Sequence, residues 1–362
     1  MTKDLFVFSN PFGFGPTAKA LAVIYEGLKI WNVNIHYVTN DSCKEIVNIP
    51  NIDIINCDIR NEDAIFNILK NFDNAFVISS INRFAVRCCV KLNIPCAFID
   101  SLTWMWKKIP EDYLLADYYF ALNFHGLDEK LKEYPSLIKT PYIIDSCFGE
   151  KYYNSDILVN LGGGMNPLLK GLPNSYLKLI SSYLNKINNK KIIVCGGSEV
   201  VNYISKANKN SNVTCITMDK MTYMSTLKHT KHLVTVSGLN SSFEAFYYKI
   251  PISFLPPTNL SQLKNLNTFI NKIKSVSYVD IKNIINETPL NNVDDEKEAI
   301  LELNSIYDKI LNNTKLKKSF EIEINKVFNT ISNIRLDYDF ICELGTDGAT
   351  TIARKLKKEW SL

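Results

Sequence analysis

Short apolar runs, each followed by a turn and then a helical stretch, recur in two successive series along this chain. That alternation restricts the fold more than any other feature, because strands joined by helices pair in parallel and build sheets covered on both faces. In the first series, strands are expected over Leu5–Phe8, Asn34–Val38, Ile52–Cys57, Ala75–Ser79, Cys96–Asp100 and Tyr118–Leu122. Helices are expected over Thr17–Trp31, Glu62–Phe72 and Asn82–Leu92. The second series places strands at Asp156–Leu161, Lys191–Cys195, Asn212–Thr217, His232–Val236 and Ile252–Leu255. Its helices fall at Pro173–Lys186, Glu199–Ala207, Tyr223–His229, Ser241–Tyr248 and Leu260–Ile273. At 362 residues two domains are expected, divided between Ile144 and Asp156 where the periodicity lapses. The resulting division is 1–150, 151–340 and 341–362, the last a basic helix over Thr346–Trp360 that can pack back on the first domain. Tyr278 to Asn313 reads as polar helices with loops, and no short-period repeat is present.

Three loops carry unusual residues. Asn10-Pro11-Phe12-Gly13-Phe14-Gly15-Pro16-Thr17 joins the first strand to the first helix. Gly13 and Gly15 let backbone N–H groups approach a ligand at the carboxyl end of the sheet; the competing reading is a plain tight turn. Asn160-Leu161-Gly162-Gly163-Gly164-Met165-Asn166-Pro167 leaves backbone bare at Gly163 and Gly164, for ligand contact or for a hinge. The third is Val234-Thr235-Val236-Ser237-Gly238-Leu239-Asn240-Ser241-Ser242-Phe243-Glu244-Ala245. A strand ending in Ser237-Gly238 and a helix opening on Ser241-Ser242 direct N–H and hydroxyl groups at one spot, an arrangement suited to a diphosphate. Glu244, one turn into the helix, can accept hydrogen bonds from ribose hydroxyls. Ser241-x-x-Glu244 is equally a capping box, which would commit both side chains to the helix start. Gln262 and Asn265 share one face of the following helix, and taken alone they are solvated polar residues.

Composition removes several classes of function. The net charge is only +4, from 41 basic and 37 acidic side chains, too little for a nucleic-acid or membrane-surface partner. Nine cysteines without a CxxC pair read as free thiols of a reducing compartment rather than a zinc site. Neither a signal peptide nor an apolar window of about 18 residues is evident, so a cytoplasmic protein without a transmembrane segment is expected.

From Val236 to Asn265 the chain resembles the donor-nucleotide region of GT-B glycosyltransferases, especially the MurG-like and UDP-glucuronosyltransferase-like groups. The pattern is Ser237-Gly238, Ser241-Ser242-x-Glu244-Ala245, Pro251, Leu255-Pro256, then Gln262 and Asn265. The resemblance implies an α/β chain of two Rossmann-like domains facing across a cleft, binding a nucleoside-diphosphate sugar, UDP-linked, with a small-molecule acceptor. In such families the Ser-Gly and helix start hold the diphosphate, the Glu the ribose, and the Gln region the sugar. The nucleotide sugar is a co-substrate, and no other cofactor or metal is expected; no D-x-D motif stands at a strand end. One departure matters: MurG-like first loops carry a His after the glycines, whereas Thr17 and Lys19 stand here. A fainter resemblance links Gly13-Phe14-Gly15-Pro16, Gly162-Gly163 with Asn166-Pro167, and Asp100-Ser101-Leu102-Thr103-Trp104-Met105-Trp106 to cytosylglucuronate synthase-like enzymes. It implies a uronic acid donor, a pyrimidine acceptor and a place in natural-product biosynthesis.

An inverting transfer needs a base for the acceptor's proton. Asp100, ending its strand at the ligand edge, is the first candidate and His125 the second. Trp104, with Trp106, offers a surface on which a sugar or flat base stacks. The structural alternatives are an Asp100 that caps the next turn, tryptophans that fill the core, and a surface-loop His125. His36 reads as structural, and His229 and His232 lack metal spacing. Rival functions are a sugar-nucleotide epimerase or hydrolase, a nicotinamide-dependent enzyme, and a binding protein without turnover. Against the nicotinamide reading, the first loop lacks the third glycine of that fingerprint, and Val38-Thr39-Asn40-Asp41 offers only Asp41 as an acidic partner.

Overall fold

A computed structural model describes residues 3–39, 42–50, 52–164, 173–273, 276–290, 293–330 and 334–362. Asn40, Asp41, Met165, Asn166 and Pro167, which figured in the sequence motifs, lie outside the described residues. The chain divides into two compact units, Met1–Cys147 with Cys342–Leu362, and Phe148–Ile341.

In the first unit the strands are β1 (Lys3–Ser9), β2 (Val33–Thr39), β3 (Asp53–Asn56), β4 (Ala75–Ser80), β5 (Cys96–Asp100), β6 (Tyr118–Leu122) and β7 (Ile138–Thr140). Their helices are α1 (Gly15–Leu28), α2 (Glu62–Leu69), α3 (Arg83–Leu92) and α4 (Leu127–Glu133). The strands lie in the order β3-β2-β1-β4-β5-β6-β7 and pair in parallel. Consecutive apolar residues such as Leu5, Phe6, Val7 and Phe8 are buried because helices cover both faces of a parallel sheet. The C-terminal helix, α14 (Gly348–Trp360) of the whole chain, belongs to this unit. The indole N–H of Trp31 donates to the Ala353 carbonyl (3.0 Å), and the Lys3 ammonium to the Trp360 carbonyl (2.6 Å).

The second unit repeats the plan with β8 (Ser155–Asn160), α5 (Asn174–Leu184), β9 (Ile192–Cys195), α6 (Ser198–Ala207) and β10 (Val213–Cys215). It continues with α7 (Lys220–Lys228), β11 (Thr230–Thr235), α8 (Leu239–Tyr247), β12 (Ile252–Phe254), α9 (Leu260–Lys272) and β13 (Ser277–Tyr278). Then come α10 (Ile281–Ile285), α11 (Glu296–Asn312), α12 (Thr314–Asn329) and α13 (Ile334–Leu344), within which the chain passes back to the first unit. The strand order is β10-β9-β8-β11-β12-β13, again parallel. Both units are therefore Rossmann-like, each with its direction of winding reversed beside its first strand: between β1 and β4, and between β8 and β11.

Two expectations from the sequence are corrected. Helix α8 begins at Leu239, with Gly238 as its N-cap and no side-chain cap, so Ser241 lies inside the first turn and the Ser241–Glu244 capping box does not form. The short strands β7 and β13 were not expected; they run along sheet edges, where a few apolar residues suffice.

Glu296, at the start of α11, holds its carboxyl beside the backbone N–H groups of Leu260 and Ser261, with one oxygen buried and in no hydrogen bond of ordinary geometry. Burial pushes its carboxyl up to about 7, against the pull of those N–H groups. A folded-state value above the unfolded one means that folded protein holds the extra proton, so stability falls as pH rises from about 4.5 to 7. Glu296→Gln is expected to remove that slope and to raise stability at pH 8 by roughly 2 kcal/mol. Urea unfolding of both proteins at pH 5 and pH 8 checks it.

Candidate functional site

The turn signals read from the sequence fall at the reversal points. In the second unit, β8 ends on Asn160 and β11 on Thr235, and these two residues are register partners. The glycine loop and the Ser-Gly loop therefore leave adjacent strands side by side, at the edge where doubly wound sheets bind ligands. Asn160 ties them together: its Oδ1 accepts the Gly162 N–H (2.8 Å) and its Nδ2 donates to the Ser241 Oγ (2.9 Å). Gly162 and Gly164 have φ of +67° and +69°, values that disfavour any side chain, and a Cβ on Gly197 would stand 2.3 Å from the Gly163 carbonyl oxygen. That close approach accounts for part of the glycine content by packing alone. At Gly238 an added Cβ would meet nothing within 4 Å, so neither packing nor backbone angle demands the glycine.

Two helices start at this edge, and they differ. At α9, Asn259 accepts the Gln262 N–H (2.8 Å), Gln262 Oε1 accepts the Thr258 N–H (2.7 Å), and the Glu296 carboxyl stands beside the N–H groups of Leu260 and Ser261. Helix α8 has no side-chain cap, so its first N–H groups and the positive end of its dipole face the loop edge.

The side chains expected to bind are placed as follows. Ser237 donates from Oγ to the Gln262 carbonyl, and Ser242 from Oγ to the Gly238 carbonyl, both at 2.7 Å and both fully buried. The expectation that these hydroxyls aim at a diphosphate is corrected: they lock the loop, and the backbone of α8 is what remains. Ser241 is half-buried; having accepted from Asn160, its hydroxyl proton is still available. Gln262 works as a cap, although its amide NH2 donates to no group among the described residues. Asn265 donates from Nδ2 to the Ser237 carbonyl (3.0 Å).

Glu244 is 2% exposed and ion-paired with Lys220, the first residue of α7, itself 6% exposed. Tyr223, one turn further along α7, holds its hydroxyl buried beside the Ser241 and Asn160 side chains, with no hydrogen bond of ordinary geometry. Burial first, and the Glu244 charge second, push that hydroxyl well above the ordinary phenol range. Lys220 and Tyr223 were not anticipated; their i, i+3 spacing at the front of a helix was the one signal available.

In the first unit, Gly13 has φ of +67°, and at both Gly13 and Gly15 a Cβ would meet nothing within 4 Å. Asn10 fastens their loop to the end of β4, donating from Nδ2 to the Ile81 carbonyl (3.0 Å). Asp100 is corrected as a candidate base. It has no exposed surface; one oxygen accepts the Leu102 N–H (2.6 Å), the other the Trp106 indole N–H (2.9 Å) and the Tyr119 hydroxyl. Burial raises its carboxyl above the usual range while these bonds oppose the rise. It anchors the tryptophan loop. Trp104 is half-buried, edge-on to Phe124 with ring centres 4.6 Å apart, and its indole N–H is enclosed with no partner among the described residues. That contact joins the loop after β5 to the loop after β6, where His125 is exposed. His36 lies between Asp4 and Asp53 (2.9 and 3.1 Å) as a structural residue. Among the described residues no three His, Cys, Asp or Glu side chains come together as metal ligands, and no helix is long and apolar enough to cross a membrane.

No protein-family model and no curated protein matches the sequence. Solved structures match its fold from end to end. The UDP-GlcNAc 2-epimerase of Neisseria meningitidis bound to UDP-GlcNAc superposes with a TM-score of 0.56 at 14% identity, covering 99% of this chain and 100% of that one. MurG of Acinetobacter baumannii gives 0.52 at 11%, covering 98% and 99%. The UDP-glucosyltransferase of Polygonum tinctorium gives 0.53 at 11%, covering 100% and 99%. The chain has the GT-B fold. In GT-B terms, the second unit carries the Asn160, Gly162–Gly164 and α8 constellation, and the first carries the Gly13–Gly15 and Trp104–His125 loops.

Proposed function

We propose that this chain is a glycosyltransferase that moves a sugar from a UDP-linked donor to a small-molecule acceptor, with inversion and without a metal. The observation that carries the reading is the meeting of the Asn160 glycine loop and the uncapped start of α8 on register-paired strands β8 and β11. Backbone N–H groups at that start stabilise the diphosphate as it leaves, and Glu244 accepts from the ribose diol. The acceptor's nucleophilic atom forms a bond to the anomeric carbon while the bond from that carbon to the diphosphate oxygen breaks. The electron pair departs with the nucleoside diphosphate, and a base takes the acceptor's proton. Because Asp100 is committed to its loop, we assign the base to His125, with Trp104 as the stacking surface for a flat acceptor such as a pyrimidine. A cytoplasmic location and a uronic acid donor belong to the same reading.

A second reading is a sugar-nucleotide epimerase, since the fold superposes on an epimerase about as well as on the two transferases, with TM-scores of 0.56, 0.52 and 0.53. Calorimetry with UDP, CDP, GDP, dTDP and NAD tests the site. UDP is expected to bind selectively. Binding of NAD alone, or of no nucleotide, ends both readings. Incubation with UDP-GlcNAc or UDP-glucuronic acid separates them, since an epimerase converts the sugar with no acceptor present.

A further inference from the structure

A carboxylate that reads a ribose stands close to the diphosphate of the same nucleotide. Glu244 is the sixth residue of α8, so its Cα lies on the order of 7–8 Å along the axis from the helix start. At 2% exposure it has little water to screen it, and two negative groups at that range repel substantially in a partly buried site. The structure supplies a counter-charge from a different helix. Lys220 opens α7, is 6% exposed, and places its ammonium on the Glu244 carboxylate. The same ammonium lies 5.3 Å from the centre of the Tyr223 ring. Asp219, the residue before it, is occupied with the cap of α7, accepting from the Thr222 N–H (2.8 Å) and hydroxyl (3.0 Å).

Resting on the donor-site reading above, we propose that Lys220 is a positioning residue that balances the charge of Glu244 and so lets a carboxylate hold a ribose beside an anionic diphosphate. It acts through Glu244 and not by touching phosphate. Its loss therefore penalises anionic nucleotides and spares neutral nucleosides, and that loss vanishes once the glutamate charge is removed as well.

The test is calorimetry at pH 8 with UDP and with uridine, on wild type, Lys220→Met, Lys220→Arg, Glu244→Gln and the Lys220→Met/Glu244→Gln double variant. Lys220→Met should bind UDP about tenfold or more weakly and uridine within about threefold of wild type. Lys220→Arg should keep UDP within about threefold, because it keeps the charge. In the Glu244→Gln background, removing the lysine should change UDP affinity by less than about threefold, a comparison that stands even if Lys220→Met alone does not fold. An equal loss of UDP and uridine in Lys220→Met overturns the proposal in favour of a structural role. A tenfold loss of UDP in the Glu244→Gln background overturns it in favour of direct phosphate contact. Wild type that binds neither ligand refutes the donor-site reading itself, a result distinct from both.

Discussion

Glu244→Ala should lower the stability of the second unit by about 3–5 kcal/mol, because it removes the carboxylate paired with the buried Lys220 ammonium. For a unit of this size that is a fall in melting temperature of roughly 6–20 °C. A capping glutamate would have cost about 1 kcal/mol, but α8 begins at Leu239 and the box is not formed. The substitution thus couples folding to ligand binding, and an affinity measured on it alone confounds the two. Glu244→Gln separates them: it keeps a hydrogen-bond acceptor for the lysine and the ribose, and removes the charge. Thermal unfolding of the two variants, with and without UDP, provides the measurement. Expected are a large fall for Glu244→Ala, a smaller one for Glu244→Gln, and a UDP-induced rise that is lost in Glu244→Ala and retained, though smaller, in Glu244→Gln. A Glu244→Ala protein that melts with wild type would show that the buried ion pair contributes nothing in solution.

The difference between what was legible and what was not follows from the range of the interactions. The strands Cys96–Asp100 and Tyr118–Leu122 fall where the apolar runs put them, since a strand buried on both faces is written as a continuous run. Edge strands β7 and β13 carry no such run. The ligand edge was visible because glycine and serine at strand ends are locally anomalous, whatever packs around them. The start of α8 was set two residues late because Ser241-x-x-Glu244 satisfies a local rule, and the glutamate is instead claimed by a lysine 24 residues earlier in the chain. Ser237 and Ser242 stand out as ligand hydroxyls because one ends a strand and the other opens a helix. Only the position of α9 against α8 reveals that Ser237 is needed by the Gln262 carbonyl. Asp100 was legible as the end of a strand but not as an anchor, because its partner Tyr119 comes from the neighbouring strand β6.

Asp100 is accordingly expected to behave as a structural residue of the first unit. Asp100→Ala removes the acceptor of the Leu102 N–H, of the Trp106 indole N–H and of the Tyr119 hydroxyl, which is left with a long contact to Thr103 (3.4 Å), at a position with no exposed surface. At about 1–3 kcal/mol for each unsatisfied donor, with incomplete additivity, the loss should reach about 3–5 kcal/mol. Asp100→Asn should also destabilise, since its NH2 group faces donors. The pH dependence carries the same signature. Burial holds the folded carboxyl above its unfolded value, so its contribution to stability is greatest in acid and declines as pH climbs from the ordinary carboxylate range to the raised one. Asp100→Asn removes that decline. A catalytic base predicts the opposite pattern, a variant that melts like wild type and turns over poorly. His125 is expected to give that pattern: exposed in its loop, its replacement by Gln should leave the melting temperature within about 1 °C while turnover falls about 100-fold or more. Circular dichroism melts and donor consumption, run on Asp100→Asn and His125→Gln together, decide the assignment. A stable, inactive Asp100→Asn beside an active His125→Gln would return the base to Asp100.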